Sequence, residues 1–165
     1  MFLNEKLNNT KESRTHLSAK IRAAILLERH PHYIIVNVPE GTRNAVYKME
    51  TNGCDIVLEC GYPSSLPVVD KNLYVAEHGR LPSIIFDIGL VKDGVVVAAI
   101  EVSCSHWLDQ KKIKKIAKSN VIVLEVEAFH AQWSIENHNR LECENLILPI
   151  KPLVEFRRMR PGDIL

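Results

Sequence analysis

Two stretches of this chain, 83–91 and 95–103, are nearly continuous runs of isoleucine, valine, alanine and phenylalanine, and each holds one carboxylate: Asp87 in the first, Glu101 in the second. A half-exposed strand alternates apolar with polar residues, so unbroken runs of this length read as strands covered on both faces. The link Lys92-Asp93-Gly94 makes them a hairpin in the middle of a sheet. A carboxylate inside such a strand is costly unless something pairs with it. Two of them on adjacent strands repel unless a cation or a proton lies between.

Whether the two meet depends on the parity of the hairpin. With a two-residue loop, Lys92 pairs with Val95, Asp87 faces Ile100, and Glu101 points to the opposite side. A three-residue loop pairs Val91 with Val95 and places Gly94 at the left-handed closing position. The expectation is that loop or an equivalent bulge. Ile85, Asp87, Gly89, Val97, Ala99, Glu101 and Ser103 then share one face, and Ile84, Phe86, Ile88, Val96, Ala98, Ile100 and Val102 the other. Asp87 and Glu101 become diagonal neighbours at roughly 7–8 Å or somewhat less. A hard divalent cation such as Mg²⁺, which takes oxygen ligands from one or two carboxylates, fits that gap.

The rest of the chain supplies a frame. Helical spacing of Leu17, Ile21, Ala24 and Ile25 predicts a helix over 15–29, ended by Pro31. A strand is expected at 33–38, a hairpin of 45–51 with 54–60 about Asn52-Gly53, and a short strand at 72–76. A lysine-rich helix over 107–118 and a buried strand at 121–126 follow, then a helical turn near 130–138 and a strand at 141–148. This order implies an α/β or α+β domain, a mixed central sheet flanked by helices. Residues 1–14 read as a flexible lead-in and 15–165 as one domain of ordinary size. With 46% hydrophobic and 25% charged residues, and no apolar run of the ~18 needed to cross a bilayer, the composition is that of a soluble protein without membrane contact. The polar start lacks a signal peptide's apolar segment, and four irregularly spaced cysteines suit reduced thiols, so a cytoplasmic location is expected. A net charge of +1 says nothing about partners, but Lys111, Lys112, Lys114, Lys115 and Lys118 crowd one segment and Arg157, Arg158 and Arg160 another.

Asp87 in an apolar strand, a turn, Ile100-Glu101-Val102-Ser103, then a helix and a buried strand resembles the PD-(D/E)XK nuclease superfamily. The run Ala99-Ile100-Glu101-Val102-Ser103-Cys104-Ser105, with His16 and Lys20 one turn apart on an early helix, is most similar to its competence CoiA-like branch. The resemblance covers about 15–127, its middle third being specific. It implies a restriction-endonuclease-like core and Mg²⁺- or Mn²⁺-dependent hydrolysis of DNA phosphodiesters. Asp87, Glu101 and the Val102 carbonyl would hold the metal, and His106, Lys111, Lys112 and Lys115 would contact nucleic acid. Ser103 stands where the superfamily has lysine, so a cationic role passes to Lys20 or Lys112, or Ser103 takes the glutamine position of the CoiA-like branch. The rival is a nuclease-fold protein that has lost catalysis and binds nucleic acid or a protein. A third reading pairs Asp87 and Glu101 with Lys20 or Lys112 as simple salt bridges. A homodimer is compatible with all three. Glu40, Trp107 and Trp133 read as structural, and no cysteine–histidine spacing suits zinc.

Overall fold

The computed structural model describes residues 14–103, 109–128 and 140–163. Among them the chain forms an α+β fold of three helices and two mixed sheets, of four and five strands. The elements are α1 (Arg14–Arg29), β1 (Tyr33–Glu40), β2 (Arg43–Glu50), β3 (Asp55–Tyr62), α2 (Lys71–His78), β4 (Ile84–Lys92), β5 (Val95–Ser103), α3 (Gln110–Ala117), β6 (Ile122–Glu127), β7 (Arg140–Glu142), β8 (Asn145–Ile147) and β9 (Phe156–Arg158). No helix among the described residues is long and apolar enough to cross a membrane.

The larger sheet runs β3-β4-β5-β6-β8 and is covered on both faces. On one side Ala19, Ala23, Leu26 and Leu27 of α1 join Ile34, Val36 and Met49 of the smaller sheet against Ile88, Leu90, Ile100 and Leu124. On the other, Ile116 of α3 packs with Val96, Ala99, Val121 and Val123. The central position expected for β4 and β5 is what the fold has. Gly89 lets the strands close: a Cβ there would stand 2.4 Å from Cys60 Sγ.

The β4–β5 hairpin differs from the expected loop. Lys92 pairs with Val95 across a two-residue turn, with Asp93 and Gly94 at φ 52 and 76, the doubly left-handed turn that matches strand twist. Parity is recovered two steps in. Leu90 pairs with Ala98 but Val91 with Val96, so Val97 is an extra residue in a bulge. Val97 therefore joins Ala98 on the α1 side rather than sharing a face with Glu101, and Val96 lies on the α3 side. Ile84 and Phe86 also sit on the α3 side, while Ile88 and Leu90 face α1, so β4 changes phase at Asp87.

Four other expectations are corrected. β2 and β3 flank the Asn52-Gly53 turn but lie in different sheets; β2 pairs with β1 across Gly41-Thr42 instead. Residues 72–76 are helical within α2, because Asp70 caps the start by accepting from Leu73 N at 3.1 Å. Residues 141–148 are divided between β7 and β8, one in each sheet. β9, which had no signal in the sequence reading, closes the smaller sheet beside β2. Arg14, placed in the flexible lead-in, opens α1; the turn expected near 130–138 lies outside the described residues.

Candidate metal centre

The site is a fork in the sheet. The β4–β5 ladder runs as far as Ile88↔Ile100, yet β4 stays paired with β3 to Ile84 and β5 with β6 to Ser103. In the opening, Asp87 Oδ2 accepts from Val102 N at 2.8 Å, so a side chain replaces the missing ladder bond. Asp87 and Glu101 lie just past the last ladder pair and meet through a side-chain hydrogen bond. Glu101 in turn pairs with Glu125, and Glu125 with Asn145. On the other flank Leu58↔Ile88 and Cys60↔Phe86 bracket Glu59 against Asp87. A single row across five strands thus reads Glu59, Asp87, Glu101, Glu125, Asn145.

Cations close over this row from both helices. Lys112 of α3 places Nζ 2.7 Å from Glu101 Oε1 and donates to the Ile85 carbonyl at 3.4 Å, spanning the fork. From α1, His16 Nε2 donates to the Val102 carbonyl at 2.8 Å and lies 3.5 Å from Asp87 Oδ2. Lys20 Nζ lies 4.0 Å from Asp87 Oδ1 and is ion-paired with Glu59. The helical spacing of His16 and Lys20 does bring both to Asp87, and Lys20 is only 4% exposed. The Val102 carbonyl, expected as a ligand, is engaged by His16; a carbonyl oxygen has a second lone pair to offer.

The two carboxyls differ in acidity. Burial pushes Glu101 well up, and the Asp87 charge adds to the rise, with Lys112 opposing. Burial would also raise Asp87, but hydrogen bonds from His16, Glu101 and the Val102 N–H outweigh it and hold that carboxyl low. The two shifts run in opposite senses, Glu101 toward its neutral form and Asp87 toward its charged form. Glu101 Oε1 is fully buried, with the Lys112 ammonium 2.7 Å away as its charged partner. A buried carboxyl in contact with a second one is an oxygen donor set that suits a hard divalent cation. As the side chains stand, no group of three or more His, Cys, Asp or Glu among the described residues converges on a metal position.

Other expected site residues are placed less centrally. Ser103 is buried with its hydroxyl donating to the Val126 carbonyl at 3.5 Å, toward β6. Lys115 is exposed and donates to the Ser83 carbonyl at 3.4 Å, and Lys111 is exposed. Glu40 pairs with Arg158 at the surface, 3.3 Å away. Arg157 lies 3.7 Å from Asp163. His106, Trp107, Cys104 and Trp133 lie outside the described residues. The sequence reading missed Glu59 and Glu125. Both were open to the signal that found Asp87, a carboxylate interrupting an apolar strand: Val57-Leu58-Glu59-Cys60 and Val123-Leu124-Glu125-Val126.

Compared with family models, curated proteins and solved structures, the chain matches none of them.

Proposed function

We propose that the chain is a metal-dependent nuclease with a restriction-endonuclease-like core, hydrolysing DNA phosphodiesters with Mg²⁺ or Mn²⁺ held by Asp87 and Glu101. The observation that carries this reading is the almost fully buried Glu101 carboxyl in contact with the second carboxyl, Asp87, where the sheet forks. When bound, the metal would supply a Lewis acid for a phosphoryl oxygen and ease deprotonation of water. Asp87 and Glu101 would hold it from facing strands, with the Val102 N–H fixing the Asp87 rotamer. Lys112, 2.7 Å from Glu101, would meet phosphate negative charge and supply the cation that Ser103 cannot. Lys20 is a second cation within reach of Asp87. Lys111 and Lys115, exposed on the same helix, suit backbone phosphates and a salt-sensitive affinity.

One observation favours a second reading, a non-cutting protein of the same architecture: each carboxylate already has a lysine partner, Glu101 with Lys112 and Asp87 with Lys20. The two readings separate in one experiment. The protein is incubated with supercoiled plasmid, single-stranded DNA and branched DNA in Mg²⁺ or Mn²⁺, beside Glu101→Ala. The nuclease reading expects cleavage that E101A loses. Cleavage that survives E101A sinks the site assignment, and metal binding without cleavage favours the second reading.

A further inference from the structure

We propose that the cleft along the N-terminal half of α1 is a phosphate subsite, where Arg14 and Arg22 hold the backbone of the nucleic acid on the face of the sheet opposite the α3 lysines. The proposal rests on the nucleic-acid substrate of the reading above and needs no metal.

Arg14, Ser18 and Arg22 are spaced four apart, so they stand one above another on successive turns of a single helical stripe. Between that stripe and the end of β6 lies an open cavity of about 290 Å³, lined by Arg14, Thr15, Ser18, Ala19, Arg22 and Ala128. Ala19 and Ala128, both buried, form its floor and are too small to fill it. Its rim is polar, with Arg14, Ser18 and Arg22 exposed and Thr15 half-buried.

The charge on this rim is of one sign. Other exposed arginines are answered by acids, Arg157 by Asp163 at 3.7 Å and Arg158 by Glu40 at 3.3 Å. Arg14 and Arg22 have no ion-pair partner among the described residues, and α1 carries Arg14, Lys20, Arg22 and Arg29 against one acid, Glu28. A guanidinium is a planar fork of donors that matches phosphate oxygens, and the Thr15 and Ser18 hydroxyls add donors between the two forks.

The cleft continues the line of the metal centre along β5. His16 donates to the Val102 carbonyl at 2.8 Å; one residue on, the Ser103 carbonyl accepts from Ala128 N at 2.8 Å, which fixes the floor of the cleft. A phosphate seated there leaves its neighbours in the strand directed at the Asp87–Glu101 fork, with Lys112 and Lys115 beyond it on the other face. A free phosphate would fill the cleft as well. Continuity with the fork and with a second cationic surface is what favours a polymer.

The test is binding of fluorescein-labelled DNA, single-stranded and duplex, read by fluorescence anisotropy across a range of salt in EDTA, so that no metal contributes and nothing is cut. The variants are Arg14→Gln/Arg22→Gln and Ser18→Asp, which sets a carboxylate between the two guanidiniums. Arg29→Gln is the control, exposed on the same helix but about 10 Å beyond Arg22 along its axis. All four side chains are exposed, and circular dichroism checks the fold. Binding should weaken about tenfold in R14Q/R22Q and in S18D, and R29Q should stay within about twofold of the wild type. The loss of two phosphate contacts in R14Q/R22Q should also lower the salt slope by about 1.4 for single strands or about 1.8 for duplex. Unchanged affinity and slope in the cleft variants, or R29Q as weak as S18D, overturns the subsite and leaves the nuclease reading standing. Displacement of the DNA by inorganic phosphate at an equal concentration of phosphate groups overturns the polymer as occupant. A wild type that binds no DNA in EDTA overturns the subsite, and the nuclease reading is then decided by the cleavage assay alone.

Discussion

Replacing Lys112 by Met keeps the length of the side chain and removes its charge, and its effect on stability should depend on pH in a way that reports the state of Glu101. At the 2.7 Å separation of Nζ and Oε1, the ion pair is worth about 6 kcal/mol at an effective dielectric of 20 and about 1.5 kcal/mol in bulk water. Lys112 is 31% exposed while Glu101 is almost fully buried, so solvent screens one end. A value of about 2 kcal/mol is expected when both are charged. The Glu101 carboxyl is raised above its unfolded value, so the folded state holds the extra proton. Stability from this group is full at acid pH and falls as the pH climbs from about 4.3 toward the raised folded value. Lys112 limits the rise, and without it the loss continues to higher pH.

The penalty of K112M should therefore be small at pH 4.5, where Glu101 is neutral in both proteins, and should grow toward about 2 kcal/mol at pH 9. Urea unfolding followed by circular dichroism in EDTA at pH 4.5, 7 and 9 measures it. A penalty that is constant across the three, or largest in acid, would refute the upward shift assigned to Glu101. K112M should also slow any cleavage while leaving Mn²⁺ bound, since the lysine is assigned to phosphate and not to metal.

Asp87→Asn should flatten the acid limb of the stability curve. A carboxyl held low contributes stability that is present above about 3.9 and lost as the pH falls toward its folded value, and asparagine has nothing to lose. Adding Mn²⁺ should raise the melting temperature more at pH 8 than at pH 5.5, because protons compete better for the raised Glu101 carboxyl at the lower pH, and EDTA should reverse the shift; an equal rise at both values counts against the site. Gly89→Ala should cost about 1–3 kcal/mol in urea unfolding, because the new methyl would meet both Cβ and Sγ of Cys60; an unchanged midpoint would show that the two strands can part there. Asp70→Ala removes the cap on α2, an eight-residue helix, and should cost about 1 kcal/mol and speed proteolysis near 71–78.

The parts of this fold that the sequence made legible are those written in local pattern. The apolar runs of β4, β5 and β6 and the helical spacing of α1 stand out because burial on two faces, or on one helical stripe, dictates composition. Asn52-Gly53 misled for a physical reason: the dipeptide specifies a turn, and Gly53 does turn at φ 78, but nothing local says whether the strands leaving it pair. They diverge because β2 has a partner in β1 through Gly41-Thr42, a choice made by long-range packing. The stretch 72–76 contains a β-branched and an aromatic residue, yet Asp70 supplies the first helical N–H with an acceptor, and a cap outweighs weak strand preference. The Asp87–Glu101 pairing was legible only as a condition on parity, since a one-residue shift turns every side chain over. Two positively curved turn residues, Asp93 and Gly94, select the two-residue loop, and the bulge at Val97 cannot be read from a run of three valines.

That bulge, the left-handed Glu59 and the fork at Ile88↔Ile100 are departures from regular sheet geometry among the described residues, and all bear on one row of carboxylates. A flat sheet could not carry this row. Four carboxylates opposed on neighbouring strands would repel at each step, with α1 and α3 each reaching only the residues that face it. The bulge turns Glu101 toward α3 and its lysine. The reversal at Glu59 and Asp87 exposes those two to α1, where Lys20 and His16 stand. The fork lets the Val102 N–H meet Asp87 in place of a ladder bond. Each irregularity thus gives an acidic side chain a partner that the ideal strand would have denied it.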